Sequence, residues 1–309
     1  MRVLVALGGN AMTGPDGDAS PAGQRAAVER AVDHIAEVVA AGHEVVITHG
    51  NGPQVGNALI KSELAATEVP PEPLDWCGAE TQATLGYTIV TALERRLTAR
   101  GSERRVAAIV TRTLVAADDT GFVHLTKPIG RHLPYDLAKP LIEHGQTWED
   151  RGPKGWRRVV ASPEPLEVID APAVRALLDA GFVVIGAGGG GIPMIRDDDG
   201  LRGVEAVVDK DLTAALLGRE LDIDVLVIAT DVEQVAIGYG TPAEQPLGRV
   251  TPDELSAYAE QGQFASGSMG PKVEASLRFV RQGGRRAAIT TLDRIAEAVA
   301  GRAGTIVEP

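Results

Sequence analysis

Three short apolar runs in this chain each stop at a glycine-rich turn. Val3–Leu7 runs into Gly8-Gly9-Asn10, Glu44–Thr48 into His49-Gly50-Asn51-Gly52-Pro53, and Phe182–Ala187 into Gly188-Gly189-Gly190-Gly191. The runs are β-branched and lack polar alternation, the pattern of strands buried on both faces. Helical patterns separate them. Ser20-Pro21 reads as N-cap and first helical residue, Val28, Ala31, Val32, Ile35, Val38 and Val39 recur at helical spacing, and Gly42 is the stop. Alternating buried strands and helices predict an α/β chain: a three-layer αβα sandwich on a mainly parallel, open sheet. In such sheets ligands bind beyond the carboxyl ends of the strands, and all three glycine turns fall on that rim.

The rest of the chain extends the pattern. Asp75–Arg100 reads as a long helix interrupted near Gly78 and Gly86, and Val106–Val110 as a strand. Between 118 and 160 the long apolar strands give way to Gly/Pro-marked turns, a short helix around Tyr135–His144 and polar strand-like pieces at Gln146–Glu149 and Trp156–Val160. We read 1–309 as one domain with 118–160 as a small protruding subdomain inserted into it. Asp170 reads as the cap of a helix stopped by Gly181. A hairpin around Asp197-Asp198-Asp199-Gly200 returns through a strand at Val204–Val208 and delivers Asp209-Lys210-Asp211 to the start of a helix ending near Glu220. A strand follows at Asp224–Thr230, then helices from Thr251-Pro252 and over Val273–Gln282, and strands at Ala287–Thr290 and near Thr305–Val307.

The net charge of −12 argues against a nucleic-acid backbone or an anionic membrane surface as partner. It leaves small anions open, because a few fixed donors make a local positive site. Cys77 is the single cysteine, so no internal disulfide forms and a reducing cytoplasm fits best. The segment Met1–Gly8 is too short and glycine-broken for a signal peptide, and no apolar run approaches the ~18 residues that span a bilayer.

Glycines at a strand's carboxyl end let a backbone approach an anion with amide N–H groups free to face it. A helix starting near Pro53 adds the positive end of its dipole. Lys210 can reach a phosphoryl oxygen, with an aspartate beside it to hold it; the alternative is a flexible loop with Asp211 as N-cap. Only six of the thirty basic residues are lysines, and Lys127, Lys210 and Lys272 sit in Gly/Pro-marked turns. Lys272 lies in the first turn of a helix, where a cation opposes the dipole unless an anion sits there. Lys127 reads either as a lid-borne charge or as a solvated turn lysine. His49 reads as a buried, hydrogen-bonded histidine rather than a base. GxxxxGK[ST], a nucleophilic serine elbow, HExxH and a Cys/His cluster are all absent from the sequence. Amides and lysines remain, the equipment of phosphoryl transfer by positioning and charge neutralisation.

These stretches, with Thr126-Lys127-Pro128-Ile129-Gly130, Gly188–Pro193, Val208-Asp209-Lys210-Asp211, Tyr239-Gly240 and Gly267-Ser268-Met269-Gly270-Pro271-Lys272, resemble the carbamate kinases of the amino-acid-kinase superfamily, in order along nearly the whole chain. The first strand ends Ala6-Leu7-Gly8-Gly9, without the lysine of relatives such as N-acetylglutamate kinase, and in carbamate kinases the inserted Lys-Pro-Ile-Gly lysine takes over that charge. The resemblance implies reversible phosphoryl transfer between ATP and carbamate, used in cells to make ATP from ADP and carbamoyl phosphate at the end of arginine fermentation. It implies that Lys127, Lys210 and Lys272 stabilise the moving phosphoryl group and that Asp211 orients them. It implies that Gly8, Gly9, Asn10, Gly50, Asn51 and Gly52 hold carbamate and its phosphate. Nucleotide would contact Gly188, Gly189, Thr230, Asp231, Tyr239, Met269 and Lys272, with Mg²⁺ on its phosphates rather than on protein ligands, in a homodimer. The chain departs from the family pattern at Leu125 and Ala161, where proline is frequent, at Thr241, where lysine is usual, and at Glu233-Gln234. Two other functions fit the same fold: a kinase of another small acid, which would not use carbamoyl phosphate, and a non-catalytic nucleotide-binding module, which would be expected to lose one of the three lysines.

Overall fold

The computed structural model describes residues 1–9, 12, 18, 20–265 and 268–309; Asn10 and the pair Ser266-Gly267 lie outside the described residues. Strand β1 (Arg2–Leu7) leads to α1 (Pro21–Ala40), β2 (Glu44–His49), α2 (Gly52–Leu64) and α3 (Leu74–Ala99). Then come β3 (Val106–Ala108), β4 (Arg112–Leu114), β5 (Lys127–Leu133), α4 (Tyr135–Glu143), β6 (Trp148–Asp150), β7 (Trp156–Val160) and β8 (Glu167–Val168). Helix α5 (Ala171–Asp179), β9 (Val183–Ile185), β10 (Ile192–Asp197), β11 (Gly200–Gly203), α6 (Lys210–Glu220) and β12 (Val225–Thr230) follow. The chain closes with β13 (Ala236–Ile237), β14 (Gln245–Pro246), β15 (Arg249–Val250), α7 (Pro252–Glu260), α8 (Met269–Arg281), β16 (Arg286–Thr291), α9 (Ile295–Val299) and β17 (Thr305–Val307).

The central sheet has eight strands in the order β15-β17-β16-β12-β1-β2-β9-β3. Every pairing in it is parallel except β16 with β17. The two-residue period of β1 divides the core. Val3, Val5 and Leu7 pack with Val28, Ile35, Ile89, Leu93 and Ile295 of α1, α3 and α9 on one face. Leu4 and Ala6 pack with Val174, Leu217, Val273 and Leu277 of α5, α6 and α8 on the other. This is the expected α/β sandwich. The Ser20 hydroxyl accepts from the Gly23 amide and caps α1, a contact worth about 1 kcal/mol.

Several local expectations change. Helix α3 runs unbroken through Gly78 and Gly86. Packing explains one of the two: a Cβ on Gly86 would lie 2.9 Å from that of Ala108 on β3. Val204–Val208 is not a strand; the return strand of the hairpin is β11, and within the later stretch Ala206 makes an isolated bridge to Ala161. Asp209, not Asp211, caps α6 through its side chain, and Lys210 is the first helical residue. Asp170 precedes α5 without a side-chain cap, because both its oxygens bind Arg112. β4 and β8 join the hairpin in a four-stranded sheet, β11-β10-β4-β8, that the sequence reading did not foresee.

Residues 127–160 form their own three-stranded sheet, β5-β7-β6. It rests on α2, where a Cβ on Gly56 would lie 2.1 Å from the Gly130 Cα. Glu63 of α2 accepts from Arg158 of β7 and from Gln146, both at 2.7 Å. Val55, Leu59, Leu74 and Cys77 share a core with Ile129 and Val160 of that sheet. Among the described residues no helix is long and apolar enough to cross a membrane.

Candidate active site

A cavity of about 1020 Å³ opens at the carboxyl ends of β1, β2 and β12, between the body and the β5-β7-β6 sheet. Gly8, Gly9, Gly50, Asn51 and Gly52 line it, as do Lys127, Asp209, Lys210, Asp211 and Lys272. Thr230, Asp231, Tyr239 and Met269 line it as well, with Gln263 and Phe264.

The first two glycine turns lie side by side. The Gly8 amide donates to the Ala229 carbonyl at 2.8 Å and the Gly50 amide to the Leu7 carbonyl at 2.9 Å, so these two continue the sheet ladder rather than face an anion. Their lack of a side chain serves close approach: a Cβ on Gly50 would stand 2.8 Å from the Gly9 nitrogen. Gly52 is the first residue of α2, whose N-terminal amides have no intrahelical partner. Asn51 is buried and its side-chain amide donates to the Thr81 hydroxyl at 2.7 Å.

The four-glycine run corrects the expectation of free amides. It coils into a tight turn in which Gly190 donates to Ala187 at 3.0 Å and Gly191 to Gly188 at 3.1 Å. A Cβ at Gly188 would sit 2.4 Å from His49 Nε2, and one at Gly189 2.2 Å from Asn51 Nδ2. The run is thus a floor beneath the second turn. Gly189 reaches the cavity, whereas Gly188 is packed behind His49.

His49 is buried, with Nδ1 3.3 Å from the Gly50 carbonyl oxygen. Burial pushes its pKa down to about 4; the Gly50 carbonyl opposes this and the Lys210 charge reinforces it. The folded-state value lies below the ordinary 6.5, so protonation favours the unfolded chain. Stability to urea is therefore expected to fall as pH drops from about 6.5 toward 4, and His49→Gln should flatten that slope.

The lysines meet on two carboxylates. Lys210 Nζ hydrogen-bonds Asp211 Oδ1, and Lys272 Nζ donates to Asp211 Oδ2 at 3.0 Å. Lys127 Nζ donates to Asp209 Oδ2 at 2.5 Å. Burial lowers the pKa of Lys210, with the Asp211 charge opposing and the Lys272 charge adding to the fall. Burial alone would raise that of Asp211, but the charges of Lys210 and Lys272 outweigh it and hold the carboxyl down to about 2. Within this cluster three ammonium groups face two carboxylates, an excess of one positive charge. The side chains of Lys210 and Lys272 are only 10% and 14% exposed, so that charge acts where water screens little.

Of the nucleotide expectations, Gly189, Thr230, Asp231, Tyr239, Met269 and Lys272 line the same cavity and Gly188 does not. Thr230 ends β12, and its hydroxyl donates to the Asp231 carboxylate at 3.0 Å. Tyr239 is largely exposed at the margin, and Gln263 accepts from the Gly238 amide at 2.9 Å behind it. The sequence reading left out Asp209. Its signal was present: an aspartate directly before the first helical residue is a favoured N-cap.

A model of the amino acid kinase family matches residues 1–291. A relative in Thermococcus kodakarensis, named carbamate kinase, is 46% identical over 99% of this chain and 98% of its own. An Escherichia coli protein named carbamate kinase-like protein YahI is 45% identical over 98% of this chain and 97% of its own. A solved structure of carbamate kinase from Giardia lamblia bound to AMP-PNP superposes with a TM-score of 0.92 at 38% identity, covering 99% and 98% of the two chains.

Proposed function

We propose, from the premise that this chain belongs to the amino acid kinase family, that it is a carbamate kinase. A member of this family is a phosphotransferase; the finer reading concerns the acceptor. In the direction we propose, an oxygen of the ADP β-phosphate attacks the phosphorus of carbamoyl phosphate. The bond from phosphorus to the carbamoyl oxygen breaks, and carbamate leaves with the electron pair. No water enters and no proton need move, so no general base is called for. That agrees with a site whose one nearby imidazole, His49, is buried and neutral.

The observation that carries the reading is the convergence of Lys127, Lys210 and Lys272, through Asp209 and Asp211, at one end of the cavity. Such a cluster neutralises charge on a phosphoryl group in transit, in the manner of kinases that work by positioning. We assign Gly9, Gly52 and the start of α2 to the carbamoyl phosphate side, with Gly8, Gly50 and Asn51 shaping the turn. We assign Thr230, Asp231, Tyr239 and Met269 to ADP. Asp209 and Asp211 are occupied by lysines, so a Mg²⁺ ion carried in on the nucleotide phosphates suits this donor set better than one held at the lysine cluster. When bound, such an ion would supply positive charge to the nucleotide phosphates. Residues 118–160 serve in this reading as a lid that brings Lys127 to the site. We also infer a cytoplasmic homodimer. Trp76 and Tyr87, 63% and 71% exposed on α3, offer apolar surface for a second copy.

The test is to mix the protein with ADP, Mg²⁺ and carbamoyl phosphate and to follow ATP. ATP formation that depends on both substrates is the expected result. No ATP under these conditions, with phosphorylation of another small acid by ATP, would transfer the protein to a different acceptor.

A further inference from the structure

Three cations need more than one carboxylate. Asp211 has both oxygens engaged, one by Lys210 and one by Lys272. The third ammonium belongs to Asp209, which is 8% exposed. Its Oδ1 accepts from the Asp211 amide at 2.9 Å and the Leu212 amide at 3.3 Å, capping α6. Its Oδ2 accepts from Lys127 Nζ at 2.5 Å, across 82 residues of sequence. One carboxylate is therefore pinned by the helix it starts and in turn pins the tip of a flexible side chain on the inserted sheet. A lysine on a four-carbon stem does not hold a fixed place unaided.

We propose that Asp209 is a positioning residue for Lys127, fixing where the inserted sheet delivers its charge relative to Lys210 and Lys272. The role rests on the function proposed above. It separates two tasks that the resemblance gives to Asp211 alone: Asp211 sets the two body lysines, and Asp209 sets the one that arrives on the insert. Cap and anchor share one side chain, so the helix that carries Lys210 and the strand that carries Lys127 keep a common reference point.

Asp209→Asn tests this, because asparagine caps a helix about as well as aspartate but carries no charge to hold the ammonium. The expected result is a wild-type melting profile and a kcat lower on the order of 10²-fold, with the KM for ADP little changed. In a Lys127→Ala background the same substitution should add no further loss. A second readout needs no turnover. In the nucleotide-free protein, acylation of Lys127 by an N-hydroxysuccinimide ester, read by mass spectrometry, should rise several-fold in Asp209→Asn while Lys210 is unchanged. Wild-type kcat in Asp209→Asn, losses that multiply with Lys127→Ala, or unchanged labelling of Lys127 would each overturn the assignment. If the wild-type protein makes no ATP from ADP and carbamoyl phosphate, the proposed function fails instead, and the labelling alone decides for or against Asp209.

Discussion

Lys210→Ala is expected to lower turnover on the order of 10²–10³-fold, the usual cost of deleting one charged donor from a site that stabilises a developing charge. The fold should survive. Asp211 keeps Lys272 as partner at 3.0 Å, so no carboxylate is left buried alone. The cap on α6 comes from Asp209, and alanine is a good helix former at the position it would take. Lys210 is also the least exposed of the three lysine side chains, at 10% against 14% for Lys272 and 30% for Lys127. The measurement is kcat for ATP formation beside a urea melt. Wild-type turnover in a folded variant would remove Lys210 from the mechanism.

Asp211→Ala should instead damage stability. It strands two cations that are both largely buried, and breaking a buried pair by deleting one partner costs about 3–5 kcal/mol. Turnover should fall with it, since the positions of Lys210 and Lys272 both depend on this carboxylate. Two further results mark the cause. Combining Asp211→Ala with Lys210→Ala should restore part of the lost stability, because the enclosed unpaired charge is gone. The penalty should also vary with pH in a definite direction. The folded-state value of about 2 lies below the ordinary 3.8, so the contribution of Asp211 is complete above about 4 and fades as pH falls toward 2. Urea midpoints across that window should bring wild type and variant together. A gap that stays constant would mean the loss comes from packing and not from charge.

How much of this was legible in the sequence depends on the length scale. β1, β2 and β12 are β-branched runs of six residues and announce themselves as buried strands. β4 and β8, of three and two residues, are too short for any period to register. They exist because Thr113 pairs with Val168 and the hairpin pairs beside them, which is tertiary information. Val204–Val208 had strand composition but no neighbouring strand along most of its length. Gly78 and Gly86 suggested a broken helix, yet an unbroken α3 leaves room at Gly86 for β3. In the site, the order of the motifs located every lysine, but not which carboxylate each one chooses. The sequence pointed to Asp211 as the cap, whereas the helix starts at Lys210 and is capped by Asp209. Only the path of β5 decides that Lys127 lands on Asp209. The four glycines misled in a similar way. They signal close approach of backbone to something, and here much of that something is His49, Asn51, Val208 and Thr113 rather than a ligand.

The seam between Gly56 and Gly130 has a mechanical consequence. Two main chains touch there with no side chain between them, beside apolar residues contributed by both bodies. A flap joined this way is not hung from a string. Lifting it clear would wet Ile129 and Val160 together with Val55 and Leu59, whereas rolling it along the glycine contact keeps them dry. A movement of the 127–160 sheet that keeps those side chains dry would have to be a shallow rocking about α2, with the glycine contact still closed.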